Sequence, residues 1–258
     1  MFVDRSLAKR LEMITARSGQ ECADVWADIA GGIATFSGID SPITQAFGVG
    51  LFGPVSEGEL DQLEDFFFSR GAPVALELCP FIHPSLIVLL KARPYRLEEF
   101  SNVLVRQLRP GEKIATPESD LKVRAALPQE STQYSEVVAE AFSVYLPVSE
   151  TLRRVVESFS RRPSGRCFLA LAGNEIAAGG CVSEDERLAE FYGAATLDGF
   201  RKRGAQSLLI AARLQWAVEQ HCDLATTTTQ PGSSSQRNYE RAGFRVVYTR
   251  AKVVRNKS

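Results

Sequence analysis

The chain has 258 residues, of which 45% are hydrophobic and 24% charged, and its net charge is −1. That length suffices for one large or two ordinary domains with a substantial core, and the composition excludes wholesale disorder. Near-neutral charge argues against a protein built mainly for nucleic acid, and no run approaches the roughly 18 uncharged apolar residues of a membrane span.

Residues 6–30 predict one or two amphipathic helices, punctuated by Gly19 and closed by Gly31-Gly32. An extended, glycine-dotted stretch follows from Ile43 to Pro54. Ser56 with Glu59 three residues on is a capping box, and the helix it opens, Glu57–Arg70, carries Leu60, Leu63, Phe66 and Phe67 at helical spacing before Gly71 and Pro73 end it. Phe66-Phe67-Phe68 reads as core. Val74–Cys79 predicts a buried strand, residues 83 or 84 to 92 a short apolar helix, and Val103–Leu108 the end of another strand. The turn formers and charges of Arg109-Pro110-Gly111-Glu112-Lys113 mark a boundary between domains over 1–112 and 118–258.

Beyond the boundary, a strand at Leu121–Ala126 precedes helices at about 132–142 and 149–160. Strands Arg166–Ala172 and Ile176–Val182 flank a Gly173-Asn174 turn. A strand at Glu190–Thr196 leads through Phe-Arg-Lys-Arg-Gly-Ala-Gln-Ser, residues 200–207, into a helix whose Ile210, Leu214, Ala217 and Val218 share one face. The last elements are the strand Leu224–Thr229, whose threonines suit a strand, the loop Gln230–Ser234, a short helix to Ala242 and a strand over Arg245–Val253.

The five cysteines, Cys22, Cys79, Cys167, Cys181 and Cys222, are odd in number and scattered without a C-x-x-C pair. Neither a structural zinc site nor a disulfide framework is expected. His83 and His221 lack companion ligands, so no metal is expected, and Cys79 near His83 reads as a buried thiol. The Gly-Ser-Ser-Ser run has no G-x-S-x-G elbow, which argues against a serine hydrolase. The N-terminal residues Met-Phe-Val-Asp-Arg lack a signal-like apolar stretch, so the expectation is a cytoplasmic protein with no membrane partner.

The basic turn at 200–207 carries the chemistry. Unpaired N–H groups and the positive dipole end converge at a helix start, Gly204 tolerates positive φ, and Arg201 and Arg203 supply planar donors suited to phosphate oxygens. Residues 201–258 hold 11 Lys/Arg against 3 Asp/Glu, an excess of +8, whereas residues 1–110 hold 10 against 14. The aromatic-flanked basic patches of RNA modules are missing, so the reading is a compact anion and no nucleic acid. The turn is neither a full G-x-G-x-x-G nor a P-loop, and taken alone a solvated basic turn fits it as well.

Arg201-x-x-Gly204-x-Gln206 after a strand, followed by Tyr239-Glu240-Arg241-Ala242-Gly243-Phe244 and the strand order over 121–253, resembles the GNAT acetyltransferases. With the run Pro231–Asn238, the chain looks like the subgroup with an additional GNAT-like N-terminal half. The resemblance implies a mixed α/β (α+β) sheet in a tandem GNAT-like fold of two similar halves. Its donor would be acetyl-CoA, without a metal, and its acceptor a primary amine on a small molecule or peptide that attacks directly. Arg201, Lys202, Arg203, Gly204, Ala205, Gln206 and Ser207 would cradle the pyrophosphate, and Ser235 would also contact CoA. Backbone N–H groups of Ala194, Ala195 and Thr196 would hold the thioester oxygen. Tyr239 matches the family's acid on the CoA sulfur, and Glu190 lies on the strand of its frequent base. As residues alone, Tyr239 also suits a tyrosine packed on the sheet and Glu190 an exposed strand carboxylate. Gln206 replaces a small residue of the pattern and Gly232 an asparagine, so a CoA-binding protein without turnover is the alternative.

Leu89-Leu90-Lys91-Ala92-Arg93-Pro94-Tyr95 echoes Tyr239–Phe244, each before a strand, as a duplicated unit would. The turn Gly53–Glu59 in the first half is acidic and lacks arginine, so only the second half is expected to take CoA. Neither the acceptor nor the oligomeric state can be read from the residues.

Overall fold

The computed structural model describes residues 3–142 and 149–257. The chain divides into two compact units, one of residues 1–103 with 246–258, the other of residues 104–245.

In the first unit, α1 (Arg5–Cys22) starts where the Asp4 carboxylate accepts from Leu7 N at 2.8 Å. β1 (Val25–Ile29) and β2 (Gly32–Phe36) form an antiparallel hairpin, and Ala30 and Gly31, both at positive φ, make its tight turn. β3 (Gln45–Phe47) pairs antiparallel with β2, and after α2 (Glu57–Phe68) β4 (Val74–Leu78) returns parallel to β3. Then come α3 (Pro84–Lys91) and β5 (Arg96–Gln107), which gives residues 96–103 to this unit and 104–107 to the other. Leu60, Leu63, Phe66 and Phe67 of α2 pack on Val74, Leu76, Leu86 and Leu90, the core the helical spacing anticipates.

The second unit holds β6 (Lys122–Ala125), a short turn over 128–130, α4 (Ser131–Phe142) and α5 (Glu150–Arg161). The antiparallel meander β7 (Gly165–Ala172), β8 (Glu175–Asp185) and β9 (Leu188–Thr196) follows. After α6 (Ala205–Glu219), β10 (Leu224–Thr229) lies parallel to β9, and α7 (Ser234–Arg241) closes the unit. The strand order here is β5-β10-β9-β8-β7-β6. α6 buries Leu209, Ile210, Leu214 and Ala217 against Phe191, Ala225 and Phe244 on one sheet face, while α4 and α5 cover the other with Tyr134, Val138, Leu152 and Val156.

Both units run three antiparallel strands, a helix, a parallel strand and a helix. The final strand, β11 (Arg245–Arg255), pairs antiparallel with β4, so residues 246–258 complete the first unit.

Two expectations need correction. Residues 24–30 are not helical: α1 stops at Cys22, Ala23 turns extended, and Asp24 N bonds Phe36 O at 3.1 Å. Val25, Trp26 and Ile29 are compatible with either period, and pairing with β2 decides for strand. Cys167 and Cys181 do form a disulfide. They are direct partners in the β7–β8 register, a juxtaposition that a separation of 14 residues cannot reveal.

The first unit contains a buried charge cluster. Glu12 Oε1 accepts from Arg250 Nε and from the Tyr248 hydroxyl, each at 2.7 Å, and Arg250 also lies over the Phe47 ring. Burial raises the Glu77 carboxyl and pushes the nearby Cys79 thiol up to about 12, so Cys79 stays an inert thiol. Removing one partner strands a buried charge, so Arg250→Met should cost about 3–5 kcal/mol in urea unfolding. Adding Glu12→Leu should recover most of that loss; a further drop would show that the charges do not compensate one another.

Candidate active site: an opened strand pair beside an uncapped helix

β9 and β10 start as paired parallel strands, but their register ends at Phe191↔Thr227 while β9 continues to Thr196 and β10 to Thr229. The cause lies in β9. Between Cys181↔Tyr192 and Gly179↔Ala195, β8 advances two residues and β9 three, so β9 carries a bulge, with Gly193 at φ +57°. A bulge increases local twist and turns the strand away from its neighbour. Ala194, Ala195 and Thr196 follow it on the diverging segment, where the sequence reading places the thioester oxygen.

Tyr134 of α4 holds the bulge. Its buried hydroxyl donates to Gly193 O at 2.7 Å and lies 3.1 Å from Cys181 Sγ. A Cβ at Gly193 would come within 2.8 Å of the Tyr134 hydroxyl and the Phe159 ring, and one at Gly179 within 2.7 Å of the Tyr134 ring. Both glycines therefore make room for the tyrosine. Tyr134 was missed from sequence because an aromatic on an amphipathic helix reads only as core.

β9 leads through the turn Asp198–Phe200 to Arg201, Lys202 and Arg203, and then to Gly204 at φ +84°, the N-cap of α6. Helices α1, α2, α3, α5 and α7 begin with a side chain, from Asp4, Ser56, His83, Ser149 and Ser233, that accepts from the first turn. α6 has no such cap. Its first intrahelical bond is Leu208 N to Gly204 O, so the N–H groups of Ala205, Gln206 and Ser207 have no partner within the helix. Free N–H groups with the positive end of the helix dipole behind them are the arrangement that can hold an anion.

The arginines of the turn are already partnered. Arg201 pairs with Asp198 at 2.9 Å and reaches Thr196 O, tying the turn to the end of β9. Arg203 pairs with Asp120 and stacks on Phe200, and Ser119 Oγ donates to Arg203 O at 2.7 Å. The Arg203 guanidinium holds the Asp120 carboxyl below its usual range. Lys202 is exposed at φ +65°. Ser119 and Asp120, distant in sequence, carry no signal that would have identified them.

Tyr239 and Glu190 lie on opposite faces of the sheet. Tyr239, 3% exposed, packs edge-on against Phe191 and Phe244, with ring centroids 6.3 and 5.1 Å away. Strand alternation turns Glu190 the other way, beside its cross-strand partner Ser183 on the α4–α5 face. Glu190 is buried, not the exposed strand carboxylate that its residue type also allowed. Ser235 lies in the first turn of α7, and Gly232 takes φ +70° with its N–H bonded to Gln236. His83 caps α3 and His221 ends the turn after α6; no group of three metal-ligating side chains occurs among the described residues.

Residues 133–244 match the family model described as acetyltransferase (GNAT) family. No curated protein matches the chain in sequence. A GCN5-related N-acetyltransferase from Kribbella flavida superposes over 97% of this chain and 96% of its own with TM-score 0.71 at 17% identity. A tandem GNAT protein from the clavulanic acid biosynthesis pathway covers 76% of this chain and 68% of its own, with TM-score 0.56 at 12% identity. A GCN5-related N-acetyltransferase from Sphaerobacter thermophilus covers 77% and 65%, with TM-score 0.58 at 17% identity. Residues 133–244 thus resemble the GNAT acetyltransferases in sequence, and the chain has the acyl-CoA N-acyltransferase fold.

Losing the Tyr134 hydroxyl leaves the Gly193 carbonyl without its partner. Tyr134→Phe should lower stability by about 1–2 kcal/mol and speed amide hydrogen exchange at Gly193–Ala195 by at least tenfold relative to β8. Uniform exchange across β8 and β9 would mean that the hydroxyl does not hold the bulge.

Proposed function

We propose that this chain is an acetyl-CoA-dependent N-acetyltransferase with one donor site, in residues 104–245. The observation that carries the reading is the uncapped start of α6 next to the strand pair opened by the Gly193 bulge. The pyrophosphate of acetyl-CoA would take the N–H groups of Gly204–Ser207, with Arg201, Lys202 and Arg203 supplying charge. The arm would run along the α6–α7 side, past Ser235, and bring the thioester to the opening beyond Phe191. Backbone N–H groups of Ala194–Thr196 would hold the carbonyl oxygen as it gains charge.

The acceptor amine, on a small molecule or a peptide, would approach from the α4–α5 face, where Glu190 lies. Its nitrogen forms the bond to the carbonyl carbon and gives up a proton, to Glu190 directly or through water. The C–S bond then breaks, its electron pair stays on sulfur, and Tyr239 protonates the thiolate. No enzyme nucleophile takes part.

The first unit has the same element order without this equipment. At α2 the capping box is closed: Ser56 Oγ accepts from Glu59 N, and Glu59 Oε2 accepts from Ser56 N at 2.8 Å. The cap takes up the N–H groups of Ser56 and Glu59, and the Glu57 and Glu59 carboxylates repel an anion. In the internal echo, Leu89 stands where the second half has Tyr239.

Titration calorimetry should therefore give one equivalent of CoA per chain; two would sink the single-site reading. Arg203→Glu should weaken CoA binding by at least tenfold while the melting temperature stays within a few degrees, because its carboxylate repels both phosphate and Asp120 at an exposed position. Tyr239→Phe should lower kcat by about 10²-fold with CoA affinity unchanged, measured as thiol release over a panel of amines. CoA binding without turnover of any amine would favour the non-catalytic alternative.

A further inference from the structure

Arg213, in the middle of α6, is fully buried and forms no salt bridge with any described carboxylate. A guanidinium taken out of water without a counter-charge is costly, and hydrogen bonds to each of its nitrogens offset part of that cost. Arg213 Nε donates to Leu209 O at 3.0 Å, NH1 to Cys181 O at 3.2 Å and NH2 to the Tyr239 hydroxyl at 3.3 Å, with the Phe191 ring 4.8 Å away. The space it fills is made by glycine: a Cβ on Gly180 would lie 3.3 Å from Arg213 Cζ and 3.1 Å from the Ala194 Cβ. The cation therefore sits against β8 opposite the bulge, where the thioester reading needs charge control.

An arginine has donors and no acceptor, so the Tyr239 oxygen must accept in their bond. The phenol's own hydrogen is then left to donate elsewhere, and it has no acceptor among the described residues. We propose that Arg213 is the positioning residue of Tyr239, holding its phenol as a proton donor to the leaving thiolate and supplying the counter-charge to the phenolate that forms. This rests on the acetyltransferase reading above. In the step, the C–S pair moves to sulfur, the proton passes from Tyr239 Oη to sulfur, and the resulting phenolate faces the Arg213 guanidinium until solvent reprotonates it. The buried cation thus gains its missing anion when the thiolate is protonated, so it favours that stage over the ground state.

The test is a double-mutant cycle on the full chain, with thiol release from acetyl-CoA over a panel of amines, CoA affinity by calorimetry and melting temperature read for each protein. Arg213→Met should lower kcat by about 10²-fold in the wild-type background and by less than threefold in Tyr239→Phe, with CoA affinity within threefold throughout. Any loss in melting temperature should be the same in both backgrounds, which separates packing from chemistry. Arg213→Lys should regain at least tenfold in kcat over Arg213→Gln, and this pair carries the test if Arg213→Met does not fold. Equal kcat losses in both backgrounds, or Arg213→Gln matching Arg213→Lys, would overturn the assignment. If Tyr239→Phe turns over normally, or no amine is acetylated, the acid role of Tyr239 or the acetyltransferase reading itself falls, and the assignment with it.

Discussion

One extra residue of backbone in β9 governs the second unit. A regular β9 would stay in register with β10 to its end, and the sheet would offer no entry between them. The bulge at Gly193 breaks that register after Phe191, and the strand arrives at the α6 turn displaced from its neighbour. Bulges need a residue that tolerates unusual φ and a partner for the backbone group they orphan. Gly193 supplies the first and the Tyr134 hydroxyl the second. Gly179 and Gly180 of the facing strand give up their side chains to Tyr134 on one face and to Arg213 on the other. The helices on both sides of the sheet are thus keyed to the same defect.

The two halves show how one element order can serve different ends. A side-chain cap on a helix stabilises it by about 1 kcal/mol. α2 takes that stabilisation through Ser56 and Glu59 and sets two carboxylates, Glu57 and Glu59, where an outside anion would approach. α6 forgoes it, placing Gly204 where a serine or aspartate would satisfy the first turn. Long helices with extensive core contacts can bear an unmet cap, and α6 buries nine of its residues. The two units also carry buried polar clusters of opposite design. Arg250 in the first unit is matched by the Glu12 carboxylate, whereas Arg213 in the second has only carbonyls, a ring and a phenol. The first arrangement pairs its cation with a carboxylate; the second holds its cation with neutral acceptors alone.

Much of this was legible in the residues. The capping box at Ser56, the apolar spacing of α2, the glycine turn between β7 and β8, and the basic turn before α6 all act locally, over three to eight residues. The family resemblance followed from two such local segments, Arg201–Gln206 and Tyr239–Phe244. Failures came where one segment had two self-consistent readings. Residues 25–29 suit a helix or a strand until β2 pairs with them. Cys167 and Cys181 look unrelated until the β7–β8 register sets them face to face. Tyr134 and Arg213 are ordinary members of amphipathic helices until the glycines beneath them are known.

Local chemistry along the chain was therefore enough to declare helix starts, turns, a basic glycine turn and a family resemblance, because capping, φ preference and hydrophobic period depend only on near neighbours. Long-range pairing decided the rest. Folding put Asp120 on Arg203, ended the β9–β10 ladder at Phe191, turned Glu190 and Tyr239 to opposite faces, and set a lone buried guanidinium against a phenol. It also sent the last strand to the unit where the chain began. A ladder's register and a buried charge's partner are properties of segments that meet in space, and their separation along the chain, from 26 residues for Arg213–Tyr239 to 238 for Glu12–Arg250, leaves no local trace.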